Sequence, residues 1–172
     1  MTYINIEIKA RCSNPGKIRR YLMAQQADFK GTDHQQDTYY QVAQGRLKLR
    51  EGNIENNLIY YKRPDQAGPK QSDFTLLPVA EPLKLKAILA EAIGEKVVVK
   101  KKRDIYYLQN VKFHIDEVDG LGSFVEIEAG NLQAPHLDRD QLLEQCTHYL
   151  EAFGIREGDL LTHSYSDMLA EK

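Results

Sequence analysis

The chain has no tryptophan, two cysteines, three methionines and six prolines in 172 residues, and no excess of charge of either sign. Two thiols, Cys12 and Cys146, are too few for a disulfide framework or a metal knuckle, and both fall on apolar faces, so buried reduced thiols are expected. That usage fits a cytosolic compartment. Lys plus Arg number 23 against 25 Asp plus Glu, which removes the global basic excess of a nucleic-acid binder. No window approaches the roughly 20 apolar residues of a membrane span. The opening run Met-Thr-Tyr-Ile-Asn-Ile-Glu-Ile-Lys enters a structured pattern at once and has no secretory-signal character.

What is present is a soluble-domain composition, 42% hydrophobic and 28% charged, of a length that suits one cored domain over 1–172. Period-2 alternation dominates it. Residues 3–11 place Ile4, Ile6, Ile8 and Ala10 on one face and Asn5, Glu7, Lys9 and Arg11 on the other. Strand signals recur at 37–43, 45–51, 57–63, 72–79, 96–108, 110–118 and 122–129, with turn residues between most of them. About eight strands are enough to close a small barrel. Helical spacing marks a segment capped by Asn14 and running to Gln25, a second over Pro82–Ile93 ended by Gly94, a third from Asp138 to Gly154, and a last short one at about 159–169. The tunnel strands are expected over about 3–129 and the C-terminal helices over about 138–170.

The polar faces are unusual. Glu7, Lys9 and Arg11 share one face; Arg46, Lys48 and Arg50 share another, opposite Leu47 and Leu49. Lys101 lies two residues from Arg103, His114 two from Asp116, and Glu126 two from Glu128. Alternation alone leaves two arrangements open: charged rows bathed in bulk water, as in most antiparallel sandwiches, or charged rows turned inward. The opposite faces are strongly apolar and need cover, and three or four amphipathic helices are available to supply it. If they do, the charged rows meet across an interior that must be solvated or filled by a charged guest. Bases outnumber acids there, so the expected guest is a polyanion. The acids are hard oxygen ligands suited to Mg²⁺ or Mn²⁺, and Arg or Lys on phosphates beside such ions is the apparatus of phosphoryl and nucleotidyl transfer.

Ordered along the chain are Asn-Ile-Glu-Ile-Lys at 5–9, Gln-Asp-Thr-Tyr-Tyr at 36–40, Gly-Arg-Leu-Lys-Leu-Arg-Glu at 45–51 and Leu-Ile-Tyr-Tyr-Lys-Arg-Pro at 58–64. Lys-Lys-Arg at 101–103, His-Ile-Asp-Glu-Val-Asp-Gly-Leu-Gly at 114–122 and Phe-Val-Glu-Ile-Glu at 124–128 follow. In this ordered set the chain resembles the CYTH superfamily, the class IV adenylate cyclases and thiamine triphosphatases also called triphosphate tunnel metalloenzymes. Gly-Pro-Lys-Gln-Ser at 68–72 and Ser-Tyr-Ser-Asp at 164–167 look closest to the bacterial class IV adenylate cyclase-like branch.

The resemblance implies an α+β fold, a closed eight-stranded antiparallel barrel with amphipathic helices outside and a charged tunnel within. It implies metal contacts from Glu7, Asp116, Glu126 and Glu128, with Mg²⁺ or Mn²⁺ as the cofactor. Phosphate grips would come from Lys9, Arg46, Lys48, Arg50, Lys62, Lys101 and Arg103, with Glu7, Lys9, Arg50, Lys101 and Arg103 closest to the chemistry. His114, on the Asp116 face, joins the substrate-binding set as a hydrogen-bond partner or general base. The tyrosine pairs 39–40, 60–61 and 106–107 each put one ring on either face, and an inward ring can stack on a base.

The implied reaction is conversion of ATP to cyclic AMP and pyrophosphate. Hydrolysis of an inorganic, thiamine or nucleoside triphosphate is the alternative within the same fold. The partner is then a small triphosphate, with no nucleic acid or membrane, and family members are often homodimers. One departure stands out: the family's opening signature is Glu-x-Glu-x-Lys, and here Asn5 holds the first acidic position. A neutral amide lowers the charge available to a second metal, and it motivates a third reading, a non-catalytic triphosphate or nucleotide sensor.

Overall fold

A computed structural model describes residues 3–172. Eight strands carry the fold: β1 (Tyr3–Arg11), β2 (Asp28–Tyr40), β3 (Arg46–Glu51), β4 (Asn57–Lys62), β5 (Lys70–Pro78), β6 (Glu95–Leu108), β7 (Val111–Val118) and β8 (Gly122–Gly130). Every pairing is antiparallel, and the order β1-β5-β4-β3-β2-β6-β7-β8 returns to β1, so the sheet closes on itself in a ring. Closure leaves no free edge along the ring, and each strand then has one inward and one outward face.

Four helices lie outside or across this ring: α1 (Pro15–Ala24), α2 (Pro82–Ile93), α3 (Arg139–Ala152) and α4 (Tyr165–Ala170). The Asn14 side chain accepts from the Lys17 amide and Pro15 occupies the first turn, as the sequence predicts. Asp138 and Gln141 form a reciprocal capping box at the start of α3. Gly94 ends α2 at φ 81°, a conformation a side chain resists.

The main core sits outside the ring. Ile6, Ile8, Phe113, Ile115, Val125 and Ile127 project from β1, β7 and β8 against Ile18 and Leu22 of α1 and Leu142 and Cys146 of α3. Both cysteines are buried free thiols. This is the expected sidedness: the greasy rows of these strands turn to the helices, so the polar rows turn inward. The arrangement is less complete around α2, which packs on β2 and β3 but buries none of its residues and leaves Leu83 and Ile88 exposed. A second apolar cluster, Tyr39, Ile59, Tyr61, Val99, Phe124 and Tyr165, lies inside the ring at one end.

Three element boundaries differ from those expected: β2 stops at Tyr40 rather than 43, and two others differ more. The first half of β2, residues 28–36, is strand although its sequence shows no alternation, because both of its faces are polar: Asp33 and Gln35 inward, His34 and Gln36 the other way. The last helix is shorter than 159–169. A 3₁₀ turn covers Glu157–Asp159, Leu160 and Leu161 then run extended along β1, and α4 starts only where Ser164 forms a capping box with Asp167. No helix among the described residues is long and apolar enough to cross a membrane.

Candidate functional site

The ring encloses a cavity of about 340 Å³ to which seven Lys or Arg and five Asp or Glu side chains contribute. Alternation puts them there. Glu7 and Lys9 enter from β1, Asp37 from β2, Lys48 and Arg50 from β3, Lys101 and Arg103 from β6, Lys112 and His114 from β7, and Glu126 and Glu128 from β8. Tyr39, Tyr61 and Tyr107 are the inward members of their pairs, as expected.

One end is shut and the other open. At the shut end the Tyr165 ring lies against Phe124, the Lys9 ammonium sits 3.8 Å from the Tyr165 ring centre, and the phenol donates to Asp116 at 2.8 Å. Arg46 ties α4 down through a two-pronged pair with Asp167 at 2.8 and 3.1 Å and a bond to Ser164. Towards the other end lie Glu55 and Lys112 with the neutral groups Asn57, Tyr107, Asn110 and Leu132.

Buried charges here come as satisfied clusters. The Asp37 carboxylate receives both prongs of Arg50 at 2.9 Å and the Lys101 ammonium at 2.8 Å, with Lys48 at 3.4 Å. Burial opposes its charge, but these three cations hold the Asp37 carboxyl well below the usual range. Arg103 and Asp116 share two bonds of 2.7 Å. Glu55 bonds Lys112 at 2.6 Å and reaches Arg50 at 3.4 Å. Its own place is set by Asp33, whose buried carboxylate accepts the amides of Ile54 and Glu55. Gly52 makes that possible, since a Cβ there would meet the Asp33 carboxylate at 2.6 Å.

Three groups on β7 and β8 fit a cation. His114, Glu126 and Glu128 bring ligand atoms within 4.8 Å of one another. Burial and the neighbouring Glu126 push the Glu128 carboxyl up to about 7. Glu126 is held ionised against its burial by Lys9, 3.2 Å away. Burial and the Arg103 guanidinium push His114 down to about 3, so its ring is neutral. His114 Nδ1 lies 3.2 Å from Glu126, and Nε2 is buried with no partner among the described residues. Two carboxylates repelling each other beside an unsatisfied imidazole nitrogen are a set that a divalent cation would relieve.

The placement of the sequence-predicted residues is as follows. Glu7, Lys9, Lys48, Arg50, Lys101, Arg103, His114, Glu126 and Glu128 all line the one cavity. Three do not. Lys62 points outward and is exposed, because Ile59 and Tyr61 face in on β4; the inward cation is its neighbour Arg63, paired with Glu7. Arg46 shares the inward row but lies beyond the Tyr165 closure, committed to α4. Asp116 is sealed between Arg103 and Tyr165 and does not line the cavity; His114, one position along that face, takes its place beside Glu126 and Glu128.

Asp37, Glu55, Arg63, Lys112 and Tyr165 also line the cavity, beyond the residues the sequence predicts. Lys112 was within reach, since it falls on the alternation of His114 and Asp116, and so was Arg63 on that of Ile59 and Tyr61. Glu55 sits in a turn, where no period points.

The CYTH domain model matches residues 3–165. The Methanocaldococcus jannaschii protein named "Putative adenylate cyclase MJ0240" is 24% identical over 176 residues, covering 96% of this chain and 98% of that one. The PH1012 protein of Pyrococcus horikoshii superposes with a TM-score of 0.76 at 23% identity, covering 95% of this chain and 98% of its own. A Vibrio parahaemolyticus structure, also called a putative adenylate cyclase, gives a TM-score of 0.73 at 21% identity, covering 97% and 98%.

Proposed function

Because the chain belongs to the CYTH domain family, we propose that its lumen takes a triphosphate together with a divalent cation and catalyses cleavage of one phosphoanhydride bond. The observation that carries this reading is the convergence, in one enclosed cavity, of a cationic row from β1, β3 and β6 with the His114, Glu126 and Glu128 set.

Lys9, Lys48, Arg50, Lys101 and Arg103 bind the phosphate oxygens, with Arg63 beside them. Their charges are matched by Asp37, Asp116, Glu126 and Glu7. An arriving triphosphate shares these cations, so the site is built before the guest arrives and little reorganisation is needed. His114, Glu126 and Glu128 would hold Mg²⁺ or Mn²⁺, which would supply Lewis-acid neutralisation of charge on the phosphate oxygens. Tyr165 excludes water from the far end, which strengthens every ionic contact inside.

The preferred reaction is cyclisation of ATP. The ribose 3′-oxygen attacks the α-phosphorus, the bond from that phosphorus to the bridging oxygen breaks, and pyrophosphate leaves onto the Arg and Lys groups. A nucleoside suits the open end, where Tyr107 and Leu132 offer an aromatic face and an apolar one and Asn57 an amide. The named likeness to the Methanocaldococcus protein agrees with this choice. A second reading has its own observation. Glu126 bonds Lys9, which lies on the Tyr165 ring, so the acidic set stands close to the shut end, where the leading phosphate of an entering guest would come. Water attacking that terminal phosphorus would release the diphosphate and orthophosphate.

Incubation with ATP and Mg²⁺ or Mn²⁺, followed by chromatography of the nucleotides, separates these. Cyclic AMP with pyrophosphate supports cyclisation. ADP with phosphate supports hydrolysis, and tight triphosphate binding without either product would overturn the enzymatic reading.

A further inference from the structure

We propose that Glu55 sets the length of the guest: its carboxylate, fixed across the mouth of the lumen, leaves room for three phosphates behind it and rejects a fourth. This deepens the proposed function and rests on its reading of the lumen as a triphosphate site.

The order of strands makes one contact unusual. Glu55 sits in the turn between β3 and β4, and Lys112 enters from β7. Around the ring, β2 and β6 separate β3 from β7 on one side, and β5, β1 and β8 separate β4 from β7 on the other. The two residues therefore stand on opposite walls, yet Lys112 Nζ donates to Glu55 Oε2 at 2.6 Å. Their side chains form a bar across the lumen. The second oxygen, Oε1, accepts from Gln35 Nε2 at 3.0 Å and is reached by Arg50 at 3.4 Å.

The turn has little freedom to carry this carboxylate away. Asp33, fully buried, accepts the Ile54 and Glu55 amides at 2.9 and 3.0 Å. Asn56 closes the turn onto both backbone groups of Gly52, and Asn53 accepts from the His34 amide at 2.6 Å. An arriving phosphate therefore meets a fixed negative charge. Behind the bar the lumen ends where Tyr165 bonds Asp116, four residues from Lys112 on β7. Four residues span roughly 13 Å of strand, or about 10 Å along the axis of a barrel whose strands tilt by about 35–45°. That is the reach of three linked phosphates, and a fourth would lie beside Glu55. On the open side Asn110, Leu132 and Gln133 are neutral and offer it no cation. Two anions in contact in a partly desolvated site repel strongly. A guest thus lies alongside the bar with three phosphates behind it and an uncharged group, or nothing, in front.

The test is isothermal titration of the whole protein, free of metal and at one ionic strength, with inorganic triphosphate and with linear inorganic tetraphosphate. Charge counting alone favours the longer chain. The expected result is the reverse, triphosphate bound about tenfold or more tighter than tetraphosphate. Glu55→Gln keeps the shape of the side chain without its charge and should bring the two within about twofold of each other. Glu55→Asp keeps the charge and should keep triphosphate ahead. Wild-type protein that binds tetraphosphate as tightly as triphosphate overturns the proposal without recourse to any variant, and so does a preference undiminished in Glu55→Gln. The two proposals fail separately. Tight triphosphate binding without discrimination against tetraphosphate sinks the length limit alone, whereas absence of triphosphate binding sinks the triphosphate site beneath it.

Discussion

Arg103 of β6 and Asp116 of β7 stand opposite each other in register and share two hydrogen bonds of 2.7 Å, both side chains shielded from solvent. Tyr165 donates a third bond to the same carboxylate. Asp116 is therefore saturated by partners of its own chain, which is poor preparation for a metal ligand. Removing its charge strands a buried guanidinium. Asp116→Asn is expected to cost about 3–5 kcal/mol in urea unfolding, the usual penalty for breaking one side of a buried pair. Mn²⁺ affinity in the folded variant should change by less than about threefold. A loss of metal binding with stability intact would restore Asp116 to the coordination sphere.

Asp37 is the counter-ion of three cations, and the consequence is a difference between empty and filled protein. Asp37→Asn leaves Arg50, Lys101 and Lys48 facing one another around a neutral amide. The free variant should unfold well below wild type in a thermal melt. Inorganic triphosphate supplies the missing charge, so its stabilising increment should be larger in the variant than in wild type. Equal increments would mean that the guest does not reach this cluster.

Lys62 and Arg63 are adjacent in sequence and lie on opposite sides of the ring wall. Arg63→Ala should weaken triphosphate binding by about tenfold or more, the worth of one or two charge-assisted hydrogen bonds. Lys62→Ala, on an exposed outward side chain, should leave it within about twofold. Isothermal titration with inorganic triphosphate reads both, and the reverse ranking would show that the strand shifts register when occupied.

The contrast also marks how far the sequence could be read. Where one face of a strand is apolar, as in β1, β3, β7 and β8, alternation gives both the strand and its sidedness, and with them most of the lumen. Lys62, a phosphate grip by the family resemblance, falls out of the inward period of Ile59 and Tyr61 and is exposed. Alternation fails where both faces are polar, which hid the first half of β2 and with it the Asp33 anchor of Glu55. It is also blind to closure. Arg103 meets Asp116 as its cross-strand neighbour, but that Tyr165 also bonds Asp116 depends on α4 folding across the end of the ring, a contact 49 residues distant along the chain. His114 emerges as the third member of the acidic set only when β7 and β8 are laid side by side, with His114 opposite Glu126.

Binding of an anion should carry a proton with it. Lys101 is fully enclosed, and burial, with Arg103, Arg50 and Lys48 near, pulls its ammonium down to about 7 despite Asp37. Lys70 is lowered to about 8 by burial and by Arg63 and Lys9. At pH 8 the free protein therefore holds Lys101 mostly neutral, whereas a bound triphosphate favours the charged form and raises its pKa toward the ordinary lysine value. The sign is uptake: in metal-free protein at pH 8, triphosphate binding should take up about one proton, falling toward zero below pH 6 where Lys101 is already charged. Calorimetry in buffers of different ionisation enthalpy measures this directly. Lys101→Met should lower the uptake at pH 8 by more than half, and proton release in the wild type would contradict the placement of the phosphates against Lys101.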